Sequence, residues 1–124
     1  GSKKESALID LLVDVVQSSR SLKKSLPEIE SGNWDKARTY VTYCTRNLRL
    51  KSNMKKAAET LEDEDEYLDG MGRMADLENV MTQLDASIYT PIFIPQDGDQ
   101  ISPEGKKYQD QAILYYHEAV ELLD

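Results

Sequence analysis

The sequence predicts an all-α fold, an antiparallel up-down-up-down four-helix bundle with a long loop between the third and fourth helices. Three observations predict it. Four segments repeat apolar residues with three- and four-residue steps, which puts them on one face of a helix. The first two connections are short and rich in turn residues or acids, which favours antiparallel neighbours. No segment sustains the two-residue alternation of a strand; Ile92-Phe93-Ile94 is too short to define a sheet. At 124 residues the chain is one domain, expected over residues 5–124, with Gly1-Ser2 read as an expression scar.

The first helix is expected over about residues 5–26. Leu8, Leu12, Val15, Ser19, Leu22 and Leu26 set its stripe, and Leu11 and Val16 widen it. Pro27 should end it, because the residue before a proline disfavours helical geometry. Glu30-Ser31-Gly32-Asn33 reads as a turn, with Asn33 as the cap of the next helix and Asp35 in its first turn.

The second helix is expected over about residues 34–61. Its apolar residues drift from one stripe (Trp34, Ala37, Val41, Cys44, Leu48) to another (Tyr40, Tyr43, Leu50, Met54, Ala57, Leu61). A long straight helix precesses in this way, by about 20° per heptad. Arg38, Thr42, Thr45, Arg49 and Lys56 then fall on the opposite face, with Arg46 beside them.

The third helix is expected over residues 65–89, opened by the acids Glu62 to Glu66, which suit a helix N-terminus. Tyr67, Met71, Met74, Leu77, Met81, Leu84 and Ile88 make its stripe. Gly70 and Gly72 lie inside it and mark a bend or a close helix approach. The segment from Tyr89 to Ile101 breaks the rhythm. Pro91 and Pro95 bracket Ile92, Phe93 and Ile94, which either pack back on the bundle or form an apolar contact site. Ser102-Pro103-Glu104 opens the fourth helix, expected over residues 103–123, with a stripe of Tyr108, Ala112, Tyr115, Ala119 and Leu122.

The charge is uneven. The chain carries a formal net charge of −8, yet Trp34 to Lys56 holds seven Lys/Arg against one acid, Asp35. The acidic balance argues against a nucleic-acid partner. Arg38, Arg46, Arg49 and Lys56, flanked by Lys51 and Lys55, form a stripe that either docks an acidic partner or is a solvated face.

Catalytic and metal chemistry find little support. The one histidine, His117, has Leu114 three residues before it, so the Glu-x-x-His pairs of a di-iron bundle are missing. His117 and Glu121 lie one turn apart, but a surface imidazole is the simpler reading. Asp97-Gly98-Asp99 lacks the later ligands of a calcium loop. The lone Cys44 sits on an apolar face, as a buried, inert thiol would. No phosphate loop or nucleophile elbow is visible, and neither is a signal, transit or bilayer-spanning segment. The expectation is a non-enzyme with no cofactor or metal of its own.

Trp34, Ala37-Arg38, Tyr40-Val41, Asn47-Leu48-Arg49 and Lys51 resemble the corresponding helix of the PsbQ family. The similarity extends more weakly to Gly72-Arg73, Leu84-Asp85-Ala86, Lys107-Tyr108 and the closing Ala119, Leu122 and Leu123. The chain departs from the family in its longer third connection and in its acidity, which fits an algal relative better than the basic higher-plant protein. The resemblance implies a four-helix extrinsic subunit of photosystem II in the chloroplast thylakoid lumen, peripheral to the membrane. Its partners would be the photosystem II core and the other extrinsic subunits. Its role would be to help the oxygen-evolving complex retain calcium and chloride without ligating manganese. A generic helical adaptor that uses the apolar loop around Phe93 is the rival reading.

Overall fold

Why the chain is helical throughout follows from its three- and four-residue apolar steps, and the elements differ from expectation where local chemistry intervenes. The computed structural model describes residues 2–47, 49–96, 98 and 100–123, with the side chains of residues 2–8, 47, 50, 51 and 54 left aside. Leu8, Leu48, Leu50, Lys51, Met54, Asp97 and Asp99, all named above, therefore fall outside the described residues or side chains. Among the described residues there are five α-helices and no strand. They are α1 (Ser2–Glu30), α2 (Trp34–Thr42), α3 (Leu50–Glu59), α4 (Glu64–Tyr89) and α5 (Pro103–Leu123). A π-helical turn, Tyr43–Asn47, lies between α2 and α3, and a 3₁₀ turn, Thr90–Phe93, follows α4. Helix α1 packs on α2, α3 and α5, while α4 packs on α5, α3 and α2.

Helix α1 does not stop at Pro27 but continues to Glu30 with the proline inside it. Proline removes one intrahelical amide, and the last turn is held by other means. Ile29 is completely buried. Gln109 Nε2, from α5, donates to the carbonyls of Ile29 and Glu30 at 2.9 and 3.0 Å. Gly32 then takes a left-handed φ of 75°, and the amides of Ser31, Gly32 and Asn33 donate back to Pro27, Ile29 and Glu28. Asn33 does not cap α2 with its side chain; its Nδ2 donates to Glu28 instead, at 2.9 Å.

The core-facing side of α1 is rich in serine. Ser18, Ser19, Ser21 and Ser25 are buried beside Leu22 and Ile29. Ser18 and Ser25 bond within α1, and Ser21 Oγ donates to the Tyr40 carbonyl across to α2 at 3.2 Å. Two expected core residues face the other way: Leu12 and Val16 are both 50% exposed. The core face of α1 runs through Ser18, Leu22, Ser25 and Ile29, which places Leu12 and Val16 on its far side.

The expected single helix over residues 34–61 is broken. Alpha geometry ends at Thr42, the π turn follows, and Arg49 takes φ 48°, ψ 46° before α3 begins. A run of threonines leads into the break. Thr39, Thr42 and Thr45 each turn a hydroxyl onto a carbonyl three or four residues back, a contact that bends helices. A π turn adds a residue to the hydrogen-bonded ring and rotates everything after it. The expected continuous helix is therefore replaced by two helices with a phase break between them. Trp34, Ala37, Val41 and Cys44 are buried as expected, but Tyr43 is 46% exposed, and after the break Asn53 and Ala58 point inward.

Helix α4 starts where expected. The Asp63 carboxylate accepts from the Glu66 amide at 2.9 Å, and Met74, Leu77, Met81, Leu84 and Ile88 are buried. At Gly70 an added Cβ would lie 3.3 Å from the Ala58 methyl, so this glycine marks a close approach of α3. The third connection divides its apolar residues. Pro91 is buried, Ile92 packs on the core, Ile94 is half-buried and Phe93 is 67% exposed. Ile101 closes over the α1–α2 turn, 3.1 Å from where a side chain on Gly32 would begin. Helix α5 opens with the Gly105 amide on Ser102 Oγ at 3.1 Å, and Ala112, Tyr116 and Ala119 join the core.

Candidate docking surface

The basic residues of Trp34 to Lys56 do not form one stripe. Arg38, expected to face outward, is only half exposed and is engaged in the α2–α4 seam. Its Nε donates to Asp85 Oδ1 at 3.0 Å, and its guanidinium lies 4.6 Å from the centre of the Tyr89 ring. An ion pair with a ring stacked beneath it ties two helices 47 residues apart in sequence. Arg38 is a clasp of the fold.

Arg46, Arg49, Lys55 and Lys56 are exposed, and among the described residues none of them has an ion-pair partner within 4 Å. The side chain of Lys51 is outside the described set. Arg46 projects from the π turn and walls a cleft of about 310 Å³. The floor of the cleft includes the core residues Met74, Leu77 and Met81, and Glu78 and Asp85 contribute to its lining opposite Arg46. The break between α2 and α3 thus opens an apolar-floored slot with an arginine at one wall.

Arg49 is the other local anomaly. It is the non-glycine residue with positive φ among the described residues. Left-handed geometry costs an L-residue roughly 1–2 kcal/mol. Arg49 also stands at the N-terminus of α3, where the helix dipole disfavours a cation, and no acid in the first turn offsets it. Lys55 and Lys56 follow on the same helix. Sequence alone gives no sign of this backbone state, because arginine is not a residue that prefers it.

The expected apolar contact at Ile92, Phe93 and Ile94 narrows to Phe93. Its ring meets Tyr89 edge-on with centroids 5.0 Å apart, and Tyr89 is itself 44% exposed. Asp85, Arg38, Tyr89 and Phe93 thus form a connected row on the surface between α2 and α4. Tyr89 was not among the expected contact residues, although its four-residue spacing from Phe93 is the signal that pairs them.

Cys44 is completely buried, and its Sγ donates to the Ser18 carbonyl at 3.0 Å and approaches that of Tyr40 at 3.4 Å. Burial pushes its thiol up from the ordinary 9.0, partly opposed by hydrogen bonding. His117 is exposed and lies edge-on to Tyr116. Among the described residues no three His, Cys, Asp or Glu side chains converge as metal ligands would, and no helix is long and apolar enough to cross a membrane. Comparison with protein-family models, with curated proteins and with solved structures found no match.

Proposed function

We propose that this chain is a non-catalytic docking protein of PsbQ type, an extrinsic subunit of photosystem II on the lumenal side of the thylakoid membrane. Within that reading α1, the α2–α3 pair, α4 and α5 act as the four arms of an up-down-up-down bundle. Three sets of contacts support the arrangement. Ser21 meets Tyr40, Ser18 meets Cys44 and Asp14 meets Asn53, so α2–α3 runs back along α1. Arg38 at the start of the second arm meets Asp85 near the end of the third. Gln109 at the start of the fourth meets Ile29 at the end of the first.

The observation that carries the docking role is Arg49. A strained, exposed cation at the unfavourable end of a helix costs stability, and such sites persist where function needs them. With Arg46, Lys55 and Lys56 it would meet acidic surfaces of the photosystem core or its other extrinsic subunits. Such contacts steer and orient association more than they add affinity. The role is to stabilise the oxygen-evolving complex and its calcium and chloride retention, with no cofactor or metal held by the chain itself. The acidity and the long third connection favour the diatom-type fifth extrinsic subunit over the higher-plant protein.

The test is reconstitution onto salt-washed photosystem II membranes with oxygen evolution as the readout. Wild-type protein should rebind and raise the rate. The Arg46→Glu/Arg49→Glu variant should rebind weakly while keeping its helical circular-dichroism spectrum. Unchanged rebinding by that variant would remove this surface from the interface, and no rebinding by the wild type would remove the photosystem reading. A generic adaptor is the second reading, favoured by the exposed Phe93–Tyr89 pair. A pull-down that recovers a partner other than photosystem subunits with the wild type, and loses it with Phe93→Ser but not with Arg46→Glu/Arg49→Glu, would support it.

A further inference from the structure

The groove between α1 and α2 is set apart by the sign of its walls. Gln17, Arg20 and Lys24 of α1 form one wall, and Thr39, Tyr40 and Tyr43 form the other, with the buried Ser21 at the floor. Its volume is about 500 Å³, in the range of small-molecule sites. Among the described residues no acid lines it. Arg46, by contrast, shares its cleft with Glu78 and Asp85, and Arg73 shares a depression with Asp76, Glu118 and Glu121.

Arg20 and Lys24 are exposed, and among the described residues no hydrogen bond or ion pair engages either. They lie one helical turn apart, where like charges repel, so an anion seated between them relieves the repulsion. The flanking acids of α1 are turned to other partners: Asp14 accepts from Asn53, and Glu28 accepts from Asn33 and pairs with Lys36. Asp35 of α2, one turn before Thr39, stands outside the lining. The hydroxyls of Ser21 and Thr39 donate to the carbonyls of Tyr40 and Asp35, which leaves charge in the groove to the two cations. The net charge of −8 opposes any anion at long range, but beyond about 8 Å it is screened at physiological ionic strength, and inside that distance the groove's own walls dominate.

We propose that this groove binds a small aryl phosphate, a flat ring carrying a phosphate of nearly two negative charges. The phosphate sits between Arg20 and Lys24, where a guanidinium fork holds two oxygens and the ammonium a third. The ring lies along Tyr43, which is 46% exposed, with Tyr40 behind it. Two cations within one turn match a compact, doubly charged group. A carboxylate or sulfonate brings only one charge to them, and an extended acidic segment would need cations repeated along the groove. The proposal does not depend on the photosystem reading, which uses Arg46 to Lys56.

The experiment is a chemical-shift titration of the isotope-labelled full chain at pH 8, well above the second phosphate pKa of about 6. Its probes are phenyl phosphate, inorganic phosphate, benzenesulfonate and benzyl alcohol, which separate the ring from the charge. Phenyl phosphate should saturate a single site, with the largest shifts at the amides of Arg20, Lys24 and Tyr43. Its affinity should exceed that of inorganic phosphate and of benzenesulfonate by about tenfold, and benzyl alcohol should not bind. Arg20→Gln/Lys24→Gln should abolish saturation, and Tyr43→Ser should lower phenyl phosphate to the level of inorganic phosphate. Arg73→Gln/Lys107→Gln removes the same charge elsewhere and should change nothing. All five positions are exposed, and circular dichroism checks that each variant folds. Absence of saturation by phenyl phosphate at millimolar concentration overturns the proposal. So does equal affinity for benzenesulfonate or for inorganic phosphate, which removes the need for the second charge or for the ring. Saturation that survives Arg20→Gln/Lys24→Gln overturns it in favour of the basic surface elsewhere on the chain.

Discussion

Gln109 holds the point where α5 meets the end of α1. Its amide nitrogen satisfies the last two carbonyls of α1, and its oxygen accepts from Lys106 at 3.2 Å. Leucine has the size to replace it but not the donor; the Ile29 carbonyl keeps the Gly32 amide, the Glu30 carbonyl loses Gln109, and a carbonyl left without its partner costs about 1–3 kcal/mol. Gln109→Leu should therefore lower unfolding stability by that amount in urea titrations. Cys44 makes a prediction of a different kind. Its folded thiol titrates above the ordinary 9.0, so below that pH both states hold the proton and nothing changes. As pH rises past 9.0 the unfolded chain loses its proton first, and stability falls. Stability measured at pH 8 and pH 10 should drop more for the wild type than for Cys44→Ala, and the native thiol should resist Ellman's reagent until the protein unfolds. Both residues sit at helical core spacings, so the burial of Cys44 was readable from the sequence. The role of Gln109 was not, because its partners lie 79 and 80 residues away.

At the scale of the element, glycines separate local preference from packing. Gly72 has open space where a Cβ would stand, so Gly72→Ala should stabilise α4 by about 1 kcal/mol through helix propensity alone. At Gly105 a Cβ would come within 2.9 Å of Ile101 Cγ2 and 3.3 Å of the capping Ser102 Oγ. Gly105→Ala should cost about 1–3 kcal/mol by overpacking, in spite of alanine's better propensity. Thermal unfolding of the two variants should move in opposite directions. The helix ends follow the same division. Ser102 is a cap that the sequence announces, Asp63 lies in the acid run that marks the start of α4, and both helices begin as expected. Pro27 announces a stop that the buried Ile29 and Gln109 override.

Across the whole molecule, the cations of Trp34 to Lys56 are shared between holding the fold and facing outward. Arg38 is spent on Asp85 and Tyr89, while Arg46, Arg49, Lys55 and Lys56 remain at the surface. Arg49→Gly separates the two consequences of this arrangement. Glycine accepts φ 48° freely, so the variant should gain about 1 kcal/mol of stability. It also removes a docking charge, so on the proposed function its rebinding to photosystem II membranes should weaken. Added salt should weaken wild-type rebinding as well, since the Debye length falls from about 10 Å at 0.1 M to about 3 Å at 1 M. A variant more stable yet poorer at binding would tie the strain at Arg49 to function.

By itself the sequence determined that the chain is all-helical, where α4 and α5 start and end, and that Trp34, Val41 and Cys44 face inward. Those features rest on periodicity and capping, which act over a few residues. Only the tertiary structure decided the break in the second helix, the run through Pro27, the Arg38 clasp and the outward turn of Leu12 and Val16. Periodicity tells which side chains share a face of a helix; it does not tell which face finds a neighbour. Helix α1 shows the difference most plainly. It carries two apolar faces of similar spacing, and the one that became the core is the face on which small serines let α2 approach.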